Sequence, residues 1–202
     1  MRVFFLNVIF NYAYNKKRYI CGMEPITLLS KKQIELTINR LCYEIAERHG
    51  DFSKTVVIGI QPRGSILASL IVRKLNEIVP EIAVQEGKLD ITFFRDDFGR
   101  RSVPLEANST QLDFEVEGKN IVLVDDVLYT GRTIRAALDA IGTYGRPNKV
   151  ELLVLIDRRF SRELPINPDF VGKEVDAIDT QKVKVEWGKN QGPKLVKLIY
   201  SI

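Results

Sequence analysis

Residues 121–133 read IVLVDDVLYTGRT, an apolar run that ends in two adjacent carboxylates and continues through a short loop of hydroxyl and glycine residues. Each part suits an anion attached to a hydroxylated group. Asp125 and Asp126, at the end of a buried strand, can hold hydroxyls or a hydrated metal ion such as Mg²⁺, and the carboxyl end of a parallel sheet is where open α/β folds bind ligands. Thr130, Gly131 and Thr133 lead into a helix whose N-terminal N–H groups and dipole favour phosphate. Gly131 permits a positive φ or close backbone approach. A second candidate is the tight loop Gln61-Pro62-Arg63-Gly64 after the apolar run TVVIGI, with Arg63 as its natural anion ligand. A third is the polar stretch from Arg95 to about Asn120, which carries Arg95, Arg100 and Arg101 beside Asp96 and Asp97. Loops of this length in a compact domain are usually functional lids or disordered.

Several other chemistries are excluded. His49 is the only histidine, and the two cysteines, Cys21 and Cys42, show no metal-ligand spacing, so zinc sites and Ser-His-Asp catalysis have no raw material. His49 is expected to cap the C-terminus of the first helix. A strand ending in Asp-Asp could pass for a Walker B strand, but no GxxxxGK[ST] accompanies it. Among 202 residues, 30 are basic and 26 acidic. Arg2, Lys16, Lys17 and Arg18 lie in an acid-free stretch at 1–22 and account for the whole net charge of +4. The body is therefore neutral, and nucleic acid would need a local basic patch rather than an overall field.

The elements that must position these groups follow from periodicity. Ile34, Ile38, Leu41 and Ile45 recur at helical spacing, with Ser30 and Gln33 as a capping box and Gly50 as a stop. TVVIGI at 55–60 reads as a buried strand, residues 65–78 as a helix, and LDITFF at 89–94 as another strand. IVLV at 121–124, a helix through Ile141 and VELLVLI at 150–156 continue the alternation. Strands alternating with helices imply a mostly parallel sheet. Beyond Asp157, VKVEW at 183–187 and LVKLIY at 195–200 suggest a small antiparallel appendage or edge strands. The apolar run at 3–10 is too short for a spanning helix and lacks a cleavage site, which points to the cytoplasm and no membrane. Residues 1–22 read as an extension, with a coding start at Met23 left open, and residues 23–202 as one domain.

Four segments in order, VVIGIQPRG at 56–64, LDITFFRDDF at 89–98, IVLVDDVLYTGRT at 121–133 and RELPINPDFVGKEV at 162–175, resemble the type I phosphoribosyltransferases. The likeness runs over residues 26–200 and is strongest to the branch that couples uracil phosphoribosyl transfer to regulation of pyrimidine operons. It implies an α/β fold with a mostly parallel twisted sheet flanked by helices, a small strand-rich hood and a lid at about 95–120. It further implies that PRPP is held by residues 124–133, that is by Val124, Asp125, Asp126, Val127, Leu128, Tyr129, Thr130, Gly131, Arg132 and Thr133. Asp125 and Asp126 would contact the ribose hydroxyls, and the Thr-Gly loop the 5′-phosphate. Pyrophosphate would lie on Pro62, Arg63 and Gly64, Arg95 would shield the leaving group, and Mg²⁺ would arrive mainly through PRPP, with Asp125 and Asp126 assisting rather than a dedicated cage. The family pattern has Thr where this chain has Pro62, and a cis bond before proline costs little, the trans preference being only about 0.5–1 kcal/mol.

The expected reaction is uracil plus PRPP giving UMP and pyrophosphate. Purine-salvage relatives carry Asp where this chain has Tyr129, which argues for a pyrimidine. Arg158 and the backbone at Phe170 and Val171 are expected at the base, and no side chain marks itself as a base for uracil N1. The resemblance also implies a homodimer or higher homo-oligomer, and a leader mRNA as a second partner, with Arg40 and Arg162 as candidate contacts. In the regulators, however, Thr and His on the first helix and Arg after Leu-Pro-Ile stand where this chain has Asn39, Tyr43 and Asn167. A nucleotide-sensing RNA-binding attenuator with little catalysis is therefore the alternative reading.

Overall fold

The computed structural model describes residues 24–98, 107–178, 180–188 and 192–200. The extension at 1–22, Arg100 and Arg101 lie outside the described residues. In chain order the elements are β1 (Ile26–Leu29), α1 (Lys31–His49), β2 (Thr55–Ile60), α2 (Arg63–Ile78), β3 (Gln85–Leu89), a 3₁₀ turn at Thr92–Phe94, β4 (Asn120–Leu128), α3 (Arg132–Gly142), β5 (Lys149–Arg159), β6 (Phe170–Asp176), β7 (Gln181–Trp187) and β8 (Pro193–Tyr200).

β2 to β6 form one parallel sheet in the order β3-β2-β4-β5-β6. The central strands are buried on both faces, which is why they read as continuous apolar runs rather than alternating ones. One face packs on α1 and α2 through residues such as Leu41, Ile45, Leu67 and Ile71, and the other on α3 through Ile134, Ala137 and Ile141. Covering both faces hides the apolar surface of all five strands. Switching from β2 to β3 on one side and to β4 on the other leaves a crevice at the strands' carboxyl ends.

The appendage is a three-stranded antiparallel sheet, β1-β8-β7. Its first strand, β1, was not legible as one, because four residues ahead of a capping box carry no period of their own. The capping box forms, with Gln33 Oε1 accepting the Ser30 N–H at 2.8 Å, and Gly50 closes α1 at φ 61°. Two expectations need correction. LDITFF is not a strand: pairing stops at Leu89, because the Asp90 carboxylate accepts the Thr92 N–H at 2.8 Å and turns the chain into a 3₁₀ turn. His49 does not face the helix end. Its ring turns inward, with Nδ1 3.1 Å from Thr55 Oγ1 and Nε2 3.2 Å from Glu151.

Candidate functional site

β4 runs four residues beyond IVLV, so that Asp125 and Asp126 are strand residues at the sheet's carboxyl end, each less than a tenth exposed. Asp125 Oδ1 accepts the Asp126 N–H at 2.8 Å. Asp126 Oδ2 has no hydrogen-bond partner, its nearest cation being Arg63 Nη1 at 3.7 Å. Burial, then the charge of Asp126, pushes the Asp125 carboxyl well above its ordinary value; burial also raises Asp126, against the pull of Arg63. Two carboxylates kept dry with an unpartnered oxygen need hydroxyl donors or a cation from a ligand.

Arg63 opens α2 directly after the cis peptide Gln61–Pro62. A Cβ on Gly64 would fall 2.3 Å from the Val124 carbonyl oxygen and 3.2 Å from Asp125 Cα. Only glycine lets this helix N-terminus lie against β4 at the carboxylates. On the other side, Gly131 takes φ 92° at the N-cap of α3, and a Cβ there would press on Leu164 and Ile166. The Thr130 carbonyl accepts the N–H groups of Glu163 and Leu164 at 3.0 and 3.1 Å. The Arg-Glu-Leu-Pro-Ile segment thus braces the Thr-Gly loop, a role the sequence did not disclose.

A cavity of about 660 Å³ is lined by Arg95, Asp96, Asp97, Asp125 and residues 127–134. It gathers most of the expected phosphate-binding loop together with Arg95. Val124 is wholly buried in the core, and its side chain does not reach the cavity. Arg95 is held by Asp97 through two bonds of 2.8 and 3.0 Å, and Arg132 by Asp96 and Glu163, each at 2.5 Å. These carboxylates could have been paired with the arginines from their proximity in sequence only for Arg95. Arg132 reaches across 36 and 31 residues.

The groups expected at the base separate into two kinds. The Arg158 guanidinium stacks 4.0 Å over the Tyr129 ring, with Nη2 donating to the Gln181 carbonyl and Nε unpartnered. The Phe170 side chain instead lies in the core under Arg48. Arg162 donates to the Tyr129 carbonyl and the Asp157 carboxylate, and Arg40 to the Val171 and Gly172 carbonyls at 2.8 Å. Both arginines are thus engaged within the fold, and they belong to different elements, α1 and the segment after β5.

Residues 27–198 match the family described as phosphoribosyl transferase domain. The chain belongs to the phosphoribosyltransferase family. It is 44% identical over 174 residues to the bifunctional protein PyrR of Nostoc punctiforme, covering 86% of this chain and 96% of the relative. Identity to the PyrR of Microcystis aeruginosa is 46% over 86% and 97% of the two chains, and to that of Brevibacillus brevis 42% over 79% and 88%. Among solved structures, the hypoxanthine phosphoribosyltransferase of Trypanosoma cruzi superposes with a TM-score of 0.65 at 16% identity, covering 87% of this chain and 97% of that one. A hypoxanthine-guanine phosphoribosyltransferase of Bacillus anthracis gives 0.65 at 18%, covering 86% and 98%. These structures share the fold. They include purine enzymes, so the fold does not choose the base.

Magnesium, which the family implies, fits the donor set. Among the described residues no cluster of three or more His, Cys, Asp or Glu gathers as a metal cage. The two carboxylates and the unpartnered Asp126 oxygen suit an ion that brings most of its ligands with the substrate. No helix among the described residues is long and apolar enough to cross a membrane.

Proposed function

We propose that this phosphoribosyltransferase transfers the phosphoribosyl group of PRPP to uracil, giving UMP and pyrophosphate with Mg²⁺. The observation that carries the reading is the dry Asp125–Asp126 pair set between two helix N-termini, one opening at Arg63 and the other at Arg132. A ribose whose hydroxyls meet the carboxylates has its 5′-phosphate at the Thr130–Thr133 loop and its pyrophosphate at Pro62, Arg63 and Gly64. This arrangement separates the two anions of PRPP onto two positive helix ends.

The C1′–O bond to pyrophosphate breaks, its electron pair leaving with the pyrophosphate, as the N1–C1′ bond to uracil forms and the N1 proton passes to solvent, through an oxocarbenium-like transition state. Arg63 and Arg95 stabilise the departing negative charge, and Asp125 and Asp126 orient the sugar on which positive charge develops. Mg²⁺ bound with PRPP supplies further neutralisation of the leaving group. Catalysis is then mainly positioning and preorganised electrostatics. Tyr129 stands where the purine relatives carry Asp, which removes the carboxyl that could exchange a proton with a purine N7 and supports a pyrimidine as the base; Arg158 lies stacked over its ring.

Regulation is the second reading, favoured by the name bifunctional protein PyrR on relatives above 40% identity. In it the nucleotide product tunes binding to a leader mRNA, with the protein as a homo-oligomer in the cytoplasm. Arg40 and Arg162 would have to leave carbonyl and carboxylate partners to meet RNA phosphates. The deciding experiment measures UMP formation from labelled uracil and, separately, leader-RNA retention with and without UMP.

A further inference from the structure

Asp90 lies one residue beyond the end of β3, beside the pyrophosphate loop, and is less than a tenth exposed. Its carboxylate receives two chain segments at once. Oδ1 accepts the Thr92 N–H at 2.8 Å, and Oδ2 accepts the Asn108 N–H at 2.9 Å and the Thr92 hydroxyl at 3.1 Å. The Asp90 N–H donates in turn to Thr110 Oγ1 at 3.1 Å. Burial alone would raise this carboxyl, but the N–H donors of Asn108 and Thr92 outweigh it and hold the group below its ordinary value.

The returning segment is fastened twice more. Gln61 Nε2 donates to the Ser109 carbonyl at 2.7 Å, and Lys88 and Gln111 exchange two backbone bonds of 2.8 Å. Gln61 is the residue immediately before Pro62. The outgoing segment, starting at Thr92, carries Arg95 into the main cavity. One buried carboxylate therefore ties the arm bearing Arg95 to the returning segment that Gln61 holds against the pyrophosphate loop.

We propose that Asp90 is the positioning residue that sets Arg95 over the pyrophosphate subsite, by pinning the Thr92 and Asn108 backbones to the end of β3. The inference rests on the assignment of pyrophosphate to Arg63 and Arg95. It makes no use of which base is transferred. Asn at position 90 keeps the shape but replaces one acceptor oxygen by a donor facing an N–H, so one of the two segments must release.

The test is binding of magnesium pyrophosphate by titration calorimetry to the full chain, as wild type, Asp90→Asn, Arg95→Ala and the double variant. Asp90→Asn should weaken pyrophosphate binding about tenfold, a ~1.4 kcal/mol change. UMP binding should weaken less than pyrophosphate binding, because Arg95 shares a cavity with the Thr130–Thr133 loop but that loop is braced independently by Glu163 and Leu164. In the Arg95→Ala background the Asp90 substitution should add nothing, since its effect passes through Arg95. Equal losses in both backgrounds, an equal loss for UMP, or no loss at all would each overturn the proposal. Thr92→Ala, which keeps the backbone donor, guards against misfolding: it should retain most of the pyrophosphate affinity. A wild-type protein that binds pyrophosphate with this pattern but transfers no uracil would refute the substrate reading and leave Asp90's role standing.

Discussion

Gly64→Ala is the sharpest perturbation of the site that adds no charge and removes no ligand. The new methyl would sit 2.3 Å from the Val124 carbonyl oxygen, where ordinary contact begins at 3.4 Å. Helix α2 must therefore back away from β4 by about 1 Å, carrying Arg63 with it, and a misplacement of ~1 Å in a catalytic constellation can cost about 10²-fold in rate. Stability receives opposite contributions: alanine favours the helix by about 1 kcal/mol and overpacking opposes it by ~1–3 kcal/mol. The net is a loss of about 0–2 kcal/mol, or a Tm lower by up to roughly 8 °C for a chain of this size. Initial rates of UMP formation and a thermal melt on the same sample separate the two effects. Gly142→Ala is the control, because that helical position has open space around its Cβ and no positive φ, so rate should be unchanged and Tm equal or higher. A Gly64→Ala enzyme with wild-type rate would refute the claim that the α2–β4 approach sets the geometry.

Asp125→Asn should abolish transfer yet raise Tm at pH 7. The folded-state pKa of Asp125 lies above its unfolded value, so the associated stability is full below the unfolded pKa and lost as pH rises through the folded pKa; the variant's advantage should shrink as pH falls toward about 4. Glu151→Gln has the opposite sign. Burial opposes ionisation of Glu151, but hydrogen bonds from Lys149 and Arg48 and the charge of His49 hold it below its ordinary value; because Lys149 and Arg48 are about half exposed, losing the carboxylate should cost about 1–2 kcal/mol at neutral pH. Chemical denaturation at several pH values should show this gap present above the unfolded carboxylate pKa of about 4.3 and closing as pH falls through the lower folded value. Arg162→Ala frees the Tyr129 carbonyl and Asp157, and should raise the KM for uracil about tenfold, with little change for PRPP, as a charged hydrogen bond worth ~1.5–3 kcal/mol is lost beside the base pocket.

The sheet and its crevice were legible because buried parallel strands write themselves as apolar runs and the Asp-Asp-to-Thr-Gly order is compact in sequence. Asp125, Asp126 and the Thr130–Thr133 loop needed only 13 residues to be seen. What escaped was non-local. The brace of Glu163 and Leu164 on Thr130, the reach of Arg132 to Asp96, and the Asp90 pin join residues 18 to 36 apart, the first and last through backbone donors that any sequence possesses. Arg40 and Arg162 were candidate RNA contacts, but which backbone groups a cation meets cannot be read from residue type: both donate to carbonyl oxygens of the fold, Arg40 while remaining about half exposed. β6 was missed as a sheet strand because FVGKEVD sits on an edge, with only Phe170 and Val175 buried, and carries too little alternation to separate from a loop.

The central claim is tested most directly by incubating the purified chain with Mg²⁺, PRPP and labelled uracil, with hypoxanthine and guanine in parallel and an Asp126→Asn variant alongside. UMP formation by the wild type, at least about 10²-fold slower in the variant and absent with the purines, is the expected result, that factor being typical for loss of one preorganised electrostatic group. A wild type that binds PRPP but forms no UMP, or that makes a purine nucleotide faster, would contradict the account.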